Sequence, residues 1–185
     1  MLTHSTKRLG CTALVGLAAA LAPGAASAAP PPQPQPGLPT EVRVEAGHTP
    51  YLAGHATGVQ IYRCNAPGSW GLVAPRADLV DAKGKVIVTH FGGPSWQARD
   101  GSTVVAKRVN GATVDPTAIP WLLLAADPAK TTPGADGDKL VKTTFIQRIN
   151  TVGGLAPVAS TCTAENAGAV QEIPYEADYV FWKKA

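Results

Sequence analysis

Asp81-Ala82-Lys83-Gly84-Lys85-Val86-Ile87-Val88-Thr89-His90-Phe91 sets how the rest of the chain is read. The first four residues are turn formers lying between two apolar runs, which makes them a hairpin candidate. In the run that follows, Val86, Val88 and His90 share one face, and a repeat of two is the signature of a strand with a core side.

Working outward, similar short runs recur at Val42-Arg43-Val44, at Val59-Gln60-Ile61-Tyr62 and at residues 103–109. Further apolar or β-branched stretches occupy residues 121–124, 141–149 and 178–182, separated by turn signals that include Asp100-Gly101 and Asn110-Gly111. Asn110-Gly111 is a second hairpin candidate, with Thr113-Val114 opening the return strand. The chain holds 19 Gly and 17 Pro, which leave little room for long helices. In a helix interior glycine costs about 1 kcal/mol and proline about 3. The expectation is an all-β fold, a single-domain antiparallel β-sandwich or barrel. Two long loops are expected, at residues 125–138 and 151–168, and there is no internal repeat.

The N-terminus has the order of an export signal. Lys7 and Arg8 precede an apolar run at residues 9–22, Pro23-Gly24 breaks it, and Ala26-Ser27-Ala28 supplies small residues for cleavage before Ala29. The run is too short for a permanent membrane span. Cys11 precedes most of the apolar run, which does not suit lipid attachment, and Lys7-Arg8 resembles a degraded twin-arginine pair. The division expected is a signal peptide at residues 1–28, a Pro-rich linker at 29–40 and one β-rich domain at 41–185. APPPQPQPGLPT at 29–40 favours an extended polyproline spacer. The place expected is outside the cell, or the periplasm of a diderm bacterium, with no stable membrane anchor after cleavage.

Charge and cysteine count follow from that division. Sixteen Lys and Arg against 13 Asp and Glu give +3, and removing Lys7 and Arg8 leaves 14 against 13. The remaining basic residues, among them Lys107 and Arg108, are scattered among acidic ones, which does not suit nucleic-acid binding. Of three cysteines, Cys64 and Cys162 survive cleavage, and in an oxidising compartment they are expected to form a disulfide. Neither has a second Cys or a His at ligand spacing, and His48, His55 and His90 are not spaced as metal ligands, so no metal or cofactor is expected.

The densest polar stretch is His90-Phe91-Gly92-Gly93-Pro94-Ser95-Trp96-Gln97 with Asp100-Gly101-Ser102. It offers His90 as a hydrogen-bond partner or base, Trp96 as a stacking platform for a sugar, and Gln97 and Asp100 as polar neighbours. The commoner role for His90, on a strand face, is a hydrogen-bonded core histidine. Gln147 and Arg148 add a polar pair on a later strand, where Arg148 suits an internal acid partner or an anionic ligand. Ser95 lies outside any Gly-x-Ser-x-Gly elbow, and the remaining aromatics read first as packing.

Gly58-Val59-Gln60-Ile61-Tyr62-Arg63-Cys64, the 90–102 stretch, Ile119-Pro120-Trp121-Leu122-Leu123-Leu124, the run at residues 146–154 and the tail at 175–182 together resemble the domain of unknown function 3455 family. The resemblance covers nearly all of the chain after the spacer. It implies a secreted β-rich domain and supplies no catalytic residues. The function expected is a secreted, disulfide-stapled, non-catalytic module that binds a glycan or another extracellular ligand. The alternatives are an extracellular hydrolase with a site near His90 and Asp100, or a structural protein of the envelope.

Overall fold

The computed structural model describes, besides Met1, residues 37–65 and 68–185. Residues 2–36, which hold nearly all of the stretch expected as a signal and most of that expected as a spacer, lie outside the described residues.

Eight strands follow in chain order: β1 (His48–Asn65), β2 (Ser69–Val80), β3 (Val86–Phe91), β4 (Ser95–Ala98), β5 (Thr103–Ala112), β6 (Trp121–Ala126), β7 (Phe145–Gly153) and β8 (Val170–Lys184). Each is antiparallel to the next, and β8 pairs back along β1 from His48↔Lys184 to Arg63↔Val170. The sheet therefore closes in a ring. Closure satisfies the backbone groups that an edge strand would leave open. Of the two architectures expected, the chain adopts the closed one. The described residues hold no α-helix, only 3-10 turns at Thr40–Val42 and Ala159–Thr161.

The 81–91 stretch folds as read. Asp81 accepts hydrogen bonds from the Lys83 and Lys85 amides through Oδ1, and Gly84 takes φ 75° to close the turn between β2 and β3. Asn110-Gly111 does not turn. Both residues continue β5, opposite Leu123 and Leu122, and the ladder absorbs one extra residue between Arg108 and Asn110. That bulge gives the Asn-Gly pair a place inside a strand, because an unpaired residue relieves the register without reversing the chain. Val42-Arg43-Val44 is likewise not a strand: Val42 ends a 3-10 turn. In the 141–149 stretch, β7 begins only at Phe145.

Up-and-down connectivity gives the barrel two unlike ends. One carries the β1/β2, β3/β4, β5/β6 and β7/β8 connections, and the Cys64–Cys162 disulfide lies there, joining the end of β1 to the β7/β8 loop. We call this the disulfide end. The other, the terminal end, carries the remaining connections together with the start of β1 and the finish of β8.

Alternation puts Leu79, Val88, Val104, Ile146 and Phe181 into one buried cluster, and Leu140, from the β6/β7 loop, joins it fully buried. Thr143 anchors that loop by donating to the Leu140 carbonyl, and its hydroxyl meets the Tyr51 hydroxyl at 2.6 Å. A second cluster forms from Leu38, Val42, Ile149, Val180 and Trp182. Along β8, Val180 and Trp182 alternate with Tyr179 and Phe181 of the first cluster, so this second cluster lies on the opposite, outer face of the sheet. Leu38, within the stretch expected as spacer, is thus part of the packed domain.

Candidate functional site

Toward the disulfide end the interior changes from aliphatic to polar and aromatic. β3 contributes His90 and β4 contributes Trp96, register partners whose rings stack 4.2 Å apart and 5° from parallel. β8 adds Tyr175 and Tyr179, two turns of the alternation apart, with their hydroxyls 3.3 Å from one another. Tyr179 meets both Trp96 and His90 edge-on. β1 supplies Gln60 and Tyr62, and the Tyr62 hydroxyl donates to the Gly154 carbonyl at 2.7 Å. Gly154 holds φ 77°, and a Cβ there would press on Tyr175 and Gln60, so the chain passes close over this cluster only because the residue is glycine.

Arg148 on β7 joins this cluster. Its register partners are Leu122 and Tyr179, and it is half-buried. Its guanidinium donates from Nε and Nη2 to the Pro120 carbonyl, at 3.2 and 2.8 Å, and it also serves as a hydrogen-bond partner of the Tyr179 hydroxyl. Among the described residues no carboxylate forms an ion pair with it. Its positive charge reaches His90, Tyr62, Tyr175 and Tyr179. Two further donors in the same half of the barrel, Gln60 Nε2 and Trp96 Nε1, are buried with no hydrogen-bond partner. A buried donor left unpaired costs roughly 1 to 3 kcal/mol, so each of these two positions works against the stability of the fold.

The titrating groups respond to burial. His90 is pushed down to about 4, chiefly by desolvation, against a raising effect of the Ser95 hydrogen bond and with a smaller lowering by Arg148. It is neutral at pH 7, and because a carbonyl can only accept, Nδ1 carries the proton and donates to Ser95 O at 2.8 Å. Burial raises Tyr175, Tyr179 and Tyr62 above the ordinary phenol value, so all three remain O–H donors.

The six candidate residues named from the sequence separate into four places. His90, Trp96 and Arg148 come together in the barrel interior. Gln147, the neighbour of Arg148 on the opposite face of β7, is buried beneath the N-terminal segment, where it donates to Val42 O and accepts from Trp182 Nε1. Gln97 is exposed and donates weakly, at 3.3 Å, to Gly101 O and Thr103 Oγ1. Asp100 sits in the β4/β5 turn at the terminal end, held by the Ser102 hydroxyl and the Ser102 and Lys139 amides, which lower its pKa. Its charge acts on Tyr51, while the charge acting on His90 is that of Arg148. The fold therefore does not gather His90 and Asp100 into one constellation. Trp96 is 1 % exposed, with His90 stacked on it and Tyr179 and Phe181 against it, so it presents no surface platform.

The other histidines lie elsewhere. His48 packs edge-on against Phe145, and His55 stands on the outer face between Asp178 at 2.8 Å and Glu176 at 3.4 Å. Among the described residues no three His, Cys, Asp or Glu side chains form a group able to hold a metal ion.

Reading the sequence residue by residue missed Gln60, Tyr62, Tyr175 and Tyr179 as members of this cluster. The alternation of Gln60 with Tyr62 and of Tyr175 with Ala177 and Tyr179 was the available signal. It also missed Arg108 on β5, opposite Leu124, whose Nη2 would lie 3.1 Å from a Cβ placed on Gly111; the same Cβ would lie 2.8 Å from Leu122 Cδ2. Leu122 is the register partner of Arg148, so the two arginines flank it. No ion pair to Arg108 is found among the described residues either.

The family model described as protein of unknown function (DUF3455) matches residues 45–183, which is all eight strands except the last residue of β8, and the chain belongs to that family. No curated protein and no solved structure matches it.

Proposed function

We propose that this member of the family is a non-catalytic binding barrel that takes a small anionic ligand, a carboxylate or a phosphate ester, into the polar half of its interior. The observation that carries the reading is Arg148: a half-buried guanidinium inside the barrel whose partners, the Pro120 carbonyl and the Tyr179 hydroxyl, are both neutral. A charge held in a partly desolvated place is costly unless an opposite charge meets it, and an anion from solution is the complement. Eight-stranded barrels have an interior filled by side chains or just wide enough for one small ligand.

The donors around Arg148 suit an acceptor-rich guest. The guanidinium fork matches a carboxylate or phosphate edge, while the phenols of Tyr175 and Tyr179 and the unpaired Gln60 Nε2 and Trp96 Nε1 supply neutral donors in the same cluster. A neutral His90 adds no second charge. The hydrolase reading has less support, since His90 is fixed between Trp96 and Ser95 and has no carboxylate to orient it.

Thermal-shift and calorimetric titration of the secreted protein against a panel of organic carboxylates, phosphate esters and uncharged sugars tests this. At least one anion should raise Tm, and Arg148→Gln should weaken its binding by about 2 kcal/mol, roughly thirtyfold. A panel in which only uncharged sugars bind, or in which Arg148→Gln binds the anion as well as the parent, would overturn the reading.

A further inference from the structure

The large apolar side chains left in water are not scattered over this domain. Leu72, Val73, Phe91, Val109, Val114, Val152, Leu155, Val158 and Val170 are all exposed, and all lie in connections of the disulfide end or in the strand halves nearer to it. At the terminal end the described residues expose one such side chain, Val141. Isolated exposed valines and leucines are ordinary, whereas a set confined to one end of a molecule marks a contact surface.

The geometry limits the occupant. The β5/β6 and β7/β8 connections and the adjoining parts of the strands contribute, all toward the same mouth of a closed ring, so the apolar groups form a rim and not a groove. No strand edge is open for an extended peptide to join, because every strand has two partners. At this mouth stand Arg148, half-buried, and Arg108, exposed on β5, near Leu122 and both without carboxylate partners among the described residues, while Asp115 and Glu165 lie farther out in the β5/β6 and β7/β8 connections. Apolar groups around a basic centre are the complement of an anionic lipid bilayer, where acyl chains meet the rim and a phosphate meets the guanidinium groups.

We infer that the disulfide end docks on anionic lipid surfaces, with one phospholipid head group directed toward Arg108 and Arg148. For the head group this rests on the anion-binding reading above; the rim is independent of it. Val158, 70 % exposed, and Leu155, 42 % exposed, lie in the β7/β8 loop outside any strand, so charging them leaves the barrel ladder intact.

Co-sedimentation with vesicles of phosphatidylglycerol and phosphatidylcholine, against vesicles of phosphatidylcholine alone, tests the inference. The protein should bind the mixed vesicles at least tenfold more tightly. The double variant Leu155→Asp, Val158→Asp should lose at least tenfold on the mixed vesicles, with an unchanged circular dichroism spectrum and unchanged binding of soluble anions. Equal binding to both vesicle types, or no loss in the double variant, overturns it. So does a dimer in size-exclusion chromatography with light scattering that the double variant abolishes, since the rim would then face a second copy. If vesicle binding is absent while soluble anions still bind in an Arg148-dependent way, the docking inference falls and the binding-barrel reading stands.

Discussion

Acidification should charge His90 in the unfolded chain before it can charge in the fold. The folded imidazole is pushed from 6.5 down to about 4, because protonation would place a cation in a desolvated site that already feels Arg148. Between those values the unfolded state binds more protons than the native state, so stability rises with pH across the window and is lost as pH falls from about 6.5 to about 4. At about 1.4 kcal/mol per pH unit, the gap is worth about 3 kcal/mol, a large share of a typical domain's stability. Urea unfolding at pH 7, 6, 5 and 4, at constant ionic strength, measures it. The reference is His90→Phe, which keeps a ring on Trp96 and removes the titrating nitrogen. Loss of the hydrogen bond to Ser95 O lowers the variant by roughly 1 kcal/mol at every pH, an offset and not a slope. Asp81, Asp100, Asp115 and Glu165 have pKa values lowered by hydrogen bonds, so their contribution is present above the ordinary carboxylate value and lost below it. They are common to both proteins and cancel in the difference. The reasoning fails if the difference between parent and variant is constant from pH 7 to pH 4.

Three further outcomes follow from the packing. Gly58→Ala should unfold the domain or cost at least about 3 kcal/mol in urea unfolding, since its Cβ would overlap the Arg76 carbonyl and sit 2.5 Å from Ala77 Cβ; parent-like stability would contradict the close approach of β1 and β2. Cys64→Ala with Cys162→Ala removes a link across a sequence separation of 98 and should lower stability by up to about 4 kcal/mol, read as a fall in the urea midpoint that reductant reproduces in the parent and not in the variant. Tyr175 and Tyr179 should resist ionisation in the fold, so stability is full below the ordinary phenol value near 10 and is lost as pH rises above it. Ultraviolet titration would then show their phenolate absorbance only with loss of the near-ultraviolet circular dichroism signal, and reversible ionisation in the intact fold would refute the burial assigned to them.

What could be read in advance, and what could not, separates along one physical line. The turn at Asp81 to Gly84 depends on side chains that act within four residues, and it was legible. The Cys64–Cys162 bridge was legible because chemistry left only one partner for each thiol once Cys11 is assigned to the export segment. Asn110-Gly111 misled because the same pair serves a turn or a bulged strand, and pairing with Leu123 and Leu122 decides between them. His90, Trp96 and Arg148 were each visible as polar or aromatic residues at a strand position. Their convergence depends on which face of β7 points inward, and a shift of one residue exchanges Arg148 with Gln147. That exchange explains why the two neighbours, read together as one polar pair, have unlike roles: Gln147 has both its amide nitrogen and its amide oxygen paired, to Val42 and Trp182, and Arg148 keeps donors to spare. Satisfied polar groups fix a packing arrangement. Gln60 Nε2 and Trp96 Nε1, by contrast, are buried without a partner at a cost that the fold must offset elsewhere, and they share the polar half of the interior with Arg148, which is where the proposal places an anion.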